Sequence, residues 1–156
     1  RQNLALAYTR KASPSFFALN KKDSAYFREV LSTLGMGLED RMKTKIGLLS
    51  GGQRQAASLL MATIAEPELL LLDEHTAALD PGAAEKVMAL TKKIVEENKI
   101  TTLMITHDME YALEYGSRTI MLDSGKIVMD LTGKEREEMT TGKLAELFYG
   151  KAHKKG

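Results

Sequence analysis

The sequence predicts an α/β fold that follows a mainly helical lobe. Residues 4–45 have a charged, helical pattern, whereas helix and strand patterns alternate from residue 48 and end in a hairpin. Such alternation is typical of helices packed on a sheet. We therefore expect a helical lobe over residues 1–47, an α/β core over 48–138, and a C-terminal helix and tail over 139–156.

Helices are predicted wherever apolar residues recur with helical spacing. Residues 25–34 form one, ended by Gly35 after a Pro/Ser/Lys-rich loop over 9–24, and an earlier helix begins near Leu4. Asp80 and Pro81 are suited to start a long helix that runs to residue 98. The residues expected to face inward are Tyr26, Phe27, Val30, Leu31 and Leu34, then Ala56, Leu59, Leu60 and Ile64 of a helix over 53–65, and Ala83, Val87, Leu90 and Ile94 of the long helix.

Strands are predicted from short apolar runs. The four leucines at 69–72 are typical of a strand that is covered on both faces. A second strand is expected over 101–106, followed by a short helix from about Asp108 to Tyr115. "RTIMLDSGKIVMD" indicates a hairpin that turns at Ser124–Gly125. A final helix is expected from Thr141, and it carries Leu144, Leu147 and Phe148.

Composition excludes several classes of function. The 156 residues carry 22 Lys and Arg against 21 Asp and Glu, so the net charge of +1 does not call for nucleic acid as a partner. The absence of cysteine excludes a disulfide framework, a thiolate nucleophile and a zinc knuckle, and it fits a reducing compartment. Since the chain begins at Arg1 and not at methionine, we expect it to be part of a longer protein.

The segment "LSGGQ" has the features of an anion site. Gly51 and Gly52 allow backbone N–H groups to approach a ligand, and the helix that follows directs its positive end to the same place. Ser50 adds a hydroxyl group. The alternative is a plain glycine hinge before a helix.

Two consecutive carboxylates end the leucine strand. Asp73 would hold Mg²⁺ and Glu74 would orient and deprotonate a water molecule for attack on a phosphate. The alternative is that Asp73 caps the next turn and Glu74 lies in solvent. His107 follows the next strand and would come near both if the strand ends lie side by side, although a single histidine is more often structural; His75 and His153 are interpreted as structural.

The whole set resembles the nucleotide-binding ATPase subunit of ABC transporters. "LSGGQRQ" at 49–55 resembles the family's signature, "LLLLDE" at 69–74 its Walker B strand, "TAALD" at 76–80 its D-loop, and His107 its switch histidine. "RQNLALA" resembles the stretch after the family's glutamine loop. One departure is His75, where the family more often has proline.

The resemblance implies an incomplete P-loop NTPase-like ABC ATPase fold: the helical lobe and the C-terminal part of a mainly parallel sheet with a terminal hairpin. It implies a head-to-tail homodimer or heterodimer of ATPase subunits with two ATP molecules between them. Ser50, Gly51, Gly52 and Gln53 would close over the terminal phosphate of an ATP held by the partner. Asp73 would assist Mg²⁺, Glu74 would act as the base and His107 would fix the phosphate and water, while Ala78, Leu79 and Asp80 would couple the two sites.

The partners and location implied are transmembrane permease subunits, a solute-binding protein and the cytoplasmic face of the cell membrane, with no nucleic acid. Import of a small, amino-acid-like solute is the expected role. Two alternatives stay open: a non-catalytic binding module that has lost its P-loop, and a soluble ABC ATPase that acts on the ribosome or on DNA.

The P-loop itself is missing. Its pattern ends in Gly-Lys followed by Ser or Thr, and the lysine reaches the β- and γ-phosphates. The Gly-Lys pairs that begin at Gly125, Gly133, Gly142 and Gly150 are followed by Ile, Glu, Leu and Ala. We therefore expect this chain alone to be inactive, and its unpaired strand edge to favour self-association.

Overall fold

A computed structural model describes residues 21–152, which belong to two compact units that divide between Met104 and Ile105. The expected helix from Leu4 and the "RQNLALA" stretch lie outside the described residues. The predicted lobes over 1–47, 48–138 and 139–156 stay a prediction. Within residues 21–152, no helix is both long and apolar enough to cross a membrane.

The first element of the described residues is helix α1 (Lys21–Ser32), which starts inside the stretch that the sequence predicts to be a loop. The chain then turns through Gly35 and Gly37, whose φ angles of 62° and 68° favour glycine. Two short 3₁₀ turns follow, Glu39–Arg41 and Ile46–Leu48. Of the residues in this region that were predicted to face inward, three are buried as expected: Phe27, Leu31 and Leu34. The prediction is wrong for Tyr26, which is exposed.

Helix α2 (Gly51–Thr63) and helix α3 (Pro81–Asn98) pack against each other in this unit. The buried residues of α2 include Ala56, Leu59 and Leu60, as predicted. Asp80 caps α3 by accepting a hydrogen bond from the backbone N–H of Ala83, and Pro81 occupies its first turn, which confirms the expected start. One core joins α1, α2, α3 and both strands of the unit, with Phe27, Leu59, Leu60, Leu70, Leu72, Leu90 and Ile100 among its members.

Strand β1 (Leu69–Asp73) pairs with strand β2 (Thr101–Ile105) in a two-stranded sheet. The expectation that β1 is covered on both faces is wrong for this chain. Leu70 and Leu72 are 5% and 8% exposed, but Leu69 and Leu71 are 53% and 65% exposed. An apolar run predicts that a strand can be buried on both faces, but burial also needs a second covering layer, and no described element of this unit supplies one.

The second unit contains helix α4 (Met109–Glu114), strands β3 (Arg118–Asp123) and β4 (Lys126–Thr132), and helices α5 (Gly133–Glu137) and α6 (Thr141–Ala152). The β3–β4 hairpin turns where predicted, since Ser124 and Gly125 have φ angles of 51° and 75°. Asp123 opposes Lys126 across the turn, and a bulge lies between Met121 and Leu122. Helices α4 and α6 are confirmed, whereas α5 was not predicted.

Candidate functional site

Helix α2 begins with a reciprocal pair of hydrogen bonds. The hydroxyl of Ser50 accepts from the backbone N–H of Gln53 at 3.2 Å, and the side-chain oxygen of Gln53 accepts from the backbone N–H of Ser50 at 3.2 Å. This capping box satisfies two donors that the first turn of a helix otherwise leaves unpaired. It uses two of the four residues predicted to face a phosphate.

The other polar atom of the Gln53 side chain, its nitrogen, also forms a hydrogen bond within the chain. Its side-chain nitrogen donates to the carbonyl of Met36 at 3.0 Å, which ties α2 to the glycine turn after α1. Arg54 makes a similar link, because its guanidinium donates to the carbonyl of Leu49 at 2.7 Å. The start of α2 is therefore fixed by side chains of the predicted signature itself, Gln53 and Arg54.

Removing the Ser50 hydroxyl will weaken this start. We expect Ser50→Ala to lower the free energy of unfolding by about 1 kcal/mol, because the backbone N–H of Gln53 loses its acceptor. Urea denaturation measures the change. Ser58→Ala is the matched control, since Ser58 is exposed on the same helix and its replacement should cost nothing. An equal loss for both variants would contradict the capping role.

The two candidate carboxylates end β1 as predicted. Asp73 is the last residue of the strand and is exposed, and Glu74 follows it, also exposed. Glu74 has a φ of 43°, and its carbonyl accepts a hydrogen bond from the backbone N–H of Ala77 at 3.0 Å. A left-handed backbone costs a residue other than glycine about 1–2 kcal/mol. Three other described residues besides glycine share this conformation, so it belongs to the tight turn after β1 and does not by itself mark Glu74 as functional.

Asp73 fits Mg²⁺ only if other ligands come from the substrate. Within residues 21–152 no group of three or more His, Cys, Asp or Glu side chains is placed to hold a metal ion. Mg²⁺ in phosphate-handling proteins is usually held by one or two carboxylates together with phosphate oxygens and water. The Asp73 carboxylate at the end of β1 is compatible with that arrangement and not with a site built from protein ligands alone.

His75 anchors the loop after β1, which agrees with its interpretation as a structural residue, although the sequence did not indicate its partner. Its Nε2 lies 3.2 Å from the hydroxyl of Thr91 on α3. That hydroxyl donates to the carbonyl of Val87 at 2.7 Å, so it accepts from His75, whose Nε2 therefore carries the proton. Partial burial lowers the pKa of His75, which favours this neutral ring.

The predicted D-loop consists of consecutive turns between β1 and α3. Backbone N–H groups of Ala77 and Leu79 donate to the carbonyls of Glu74 and Thr76, both at 3.0 Å. Ala78 is exposed, Leu79 is half-buried, and Asp80 is the cap of α3. The structure thus brings this segment close to the carboxylates of β1.

His107 lies two residues after β2 and belongs to the second unit. It is exposed and precedes Asp108, which caps α4 by accepting from the backbone N–H groups of Glu110 and Tyr111 at 2.9 and 3.1 Å. Strand β2 pairs with β1, so the strand that leads to His107 is next to the one that ends at Asp73. The approach of His107 to the carboxylates stays a prediction.

The predicted signature, Walker B strand and D-loop resemble those of an ATP-binding cassette, and comparison with known proteins supports this class. The ABC transporter family model matches residues 1–77. A tyrosine transport ATP-binding protein of Clostridioides difficile (strain R20291) is 43% identical over 148 residues, which are 95% of this chain and 59% of that protein. The chain belongs to the ATP-binding proteins of ABC transporters.

Other similar proteins carry related descriptions. The methionine import ATP-binding protein MetN of Clostridium tetani (strain Massachusetts / E88) is 39% identical over 109 residues, covering 69% of this chain and 34% of that protein. Among solved structures, a dimeric post-hydrolysis state of the ATP-binding cassette MJ0796 with ADP and phosphate matches with a TM-score of 0.61 and 29% identity, over 83% of this chain and 56% of that one. The chain spans 59% or less of the length of each.

Proposed function

We propose that this chain is the C-terminal portion of an ATP-hydrolysing subunit that drives import of a small, amino-acid-like solute. The proposal rests on three features that follow one another along the chain. These are the capped start of α2 at its two glycines, the two carboxylates at the end of β1, and the turns that lead to α3. The 43% identity to a tyrosine transport ATP-binding protein supports the solute class. Permease subunits, a solute-binding protein and a place on the cytoplasmic face of the membrane belong to the same proposal.

In the proposed reaction, ATP lies between this chain and an ATPase partner. Ser50, Gly51, Gly52 and Gln53 close over the terminal phosphate through the positive end of α2. Glu74 takes a proton from the attacking water, and His107 orients the phosphate. Asp73 would hold Mg²⁺, which would supply positive charge beside the phosphate oxygens.

The chain lacks the lysine-bearing loop that grips a triphosphate. Hydrolysis therefore needs a P-loop from outside residues 1–156, and the chain alone is proposed to be inactive. The exposed leucines of β1 are consistent with a further layer in the assembled protein. Dimerisation is supported by the dimeric state described for MJ0796.

Uptake assays in cells that lack the gene test the proposed role. We expect labelled tyrosine, methionine or another amino acid to enter slowly without the gene, and at the normal rate once the full gene is returned. Uptake of an unrelated sugar serves as the control. If the gene changes no amino-acid uptake but alters ribosome function or DNA repair, the importer proposal is wrong and the soluble ATPase is favoured.

A further inference from the structure

The two signature glycines touch the D-loop side of their own chain. A Cβ atom added at Gly51 would lie 3.0 Å from Cδ2 of Leu79. One added at Gly52 would lie 3.1 Å from the Cβ of Ala83 on α3. A Cβ at Gly52 would fit only if Ala83 moved by a few tenths of an ångström, whereas the contact at Gly51 is with the flexible end of Leu79. Packing therefore favours glycine most clearly at Gly52.

The opposite side of the same turn is also closed. A Cβ at Gly52 would lie 3.3 Å from Cε of Met36, whose carbonyl accepts the hydrogen bond from Gln53. Gly52 is buried. The first turn of α2 therefore lies between the glycine turn after α1 and the segment that begins α3, and a side chain at Gly52 would require Ala83 or Met36 to shift by a few tenths of an ångström.

The contacting residues on the D-loop side are themselves held in place. Leu79 is fixed by the bond from its backbone N–H to the carbonyl of Thr76 at 3.0 Å. Ala83 donates its backbone N–H to the Asp80 carboxylate at 3.0 Å. A shift of the turns between β1 and α3 would therefore displace Leu79 and Ala83 together.

We propose that Leu79 and Ala83 are positioning residues that set the first turn of α2, so that the D-loop and the signature of one chain move as one body. Packed contacts transmit small displacements because no free volume absorbs them. A change at the carboxylates of β1 would then reach Ser50 and its neighbours within the same chain. The consequence for catalysis rests on the function proposed above; the packing itself does not.

Compensating substitutions in the full gene product test the proposal. Gly52→Ala should lower kcat for ATP hydrolysis by about tenfold or more, with little change in KM, because the signature is displaced from its working position. Adding Ala83→Gly should restore most of the rate, since it removes the contacting Cβ. Gly52→Ala with Ala89→Gly is the matched control, because Ala89 is exposed on the same helix and should rescue nothing.

The outcomes separate packing from ligand contact. Rescue by Ala83→Gly alone supports the proposal, whereas no rescue, or equal rescue by Ala89→Gly, overturns it and assigns Gly52 to the phosphate. A double-mutant cycle of Gly52 and Ala83 in urea unfolding of this chain gives a readout that needs no ATP. If the two substitutions are coupled in unfolding but the full gene product hydrolyses no ATP, the contact between Gly52 and Ala83 is supported and the proposed function is rejected. If the two substitutions are not coupled, the contact itself is rejected.

Discussion

Glu74→Gln in the full gene product should abolish ATP turnover while ATP stays bound. Glutamine keeps the size of the side chain and removes the carboxylate that would accept the proton of the attacking water. Loss of a general base typically lowers the rate by a factor of about 10²–10⁴. Phosphate release measures turnover, and retention of labelled ATP on a filter measures binding.

Glu85→Gln is the control for this variant. Glu85 is an exposed glutamate of α3 that belongs to none of the predicted motifs, so its replacement by glutamine should leave turnover unchanged. Loss of ATP binding together with turnover in Glu74→Gln would indicate a structural role for Glu74. Normal turnover in that variant would remove Glu74 from the mechanism altogether.

Arg136→Ala should destabilise the second unit by about 2–4 kcal/mol, because several acceptors lose a charged donor at once. The guanidinium donates from Nε to the Thr119 hydroxyl at 3.0 Å and from Nη2 to the carbonyls of Leu113 and Tyr115. Those carbonyls lie at the end of α4, where a helix leaves acceptors unpaired. Since α4 begins just after His107, this network also holds the helix that follows the candidate histidine.

Hydrogen exchange of the β3 and β4 amides measures the loss in that unit directly. Arg136→Lys should recover less than half of the stability, because one ammonium group cannot reproduce the fork of donors. Lys134→Ala on the same short helix is the control and should stay within about 0.5 kcal/mol of the unchanged protein. Full recovery by lysine would show that charge, and not the geometry of the fork, stabilises the unit.

Elements with local signals were predictable from the sequence. Asp80 and Pro81 gave the start of α3, and Ser124–Gly125 gave the hairpin turn, because each depends on residues next to one another. The position of the carboxylates at the end of β1 followed for the same reason. The family was likewise recognisable, since short motifs in a fixed order identify it.

Features that depend on distant partners were not predictable. Gln53 bonds to Met36, 17 residues away, and Arg136 bonds to carbonyls more than 20 residues away, so no local pattern indicates either contact. His75 was interpreted as structural from its type alone, and its partner Thr91 could be found only from the packing of α3. The leucine run of β1 predicted two covered faces, because composition records what a strand can bury and not which layer is present.

Calorimetry of this chain with Mg·ATP at millimolar concentration measures whether residues 1–156 bind the nucleotide by themselves. If residues 1–156 supply the signature, the base and the D-loop, while a P-loop outside them grips the triphosphate, the titration should show no heat of binding. Clear saturable binding would mean that residues of this chain grip the phosphates themselves, and the division of the site proposed here would be wrong.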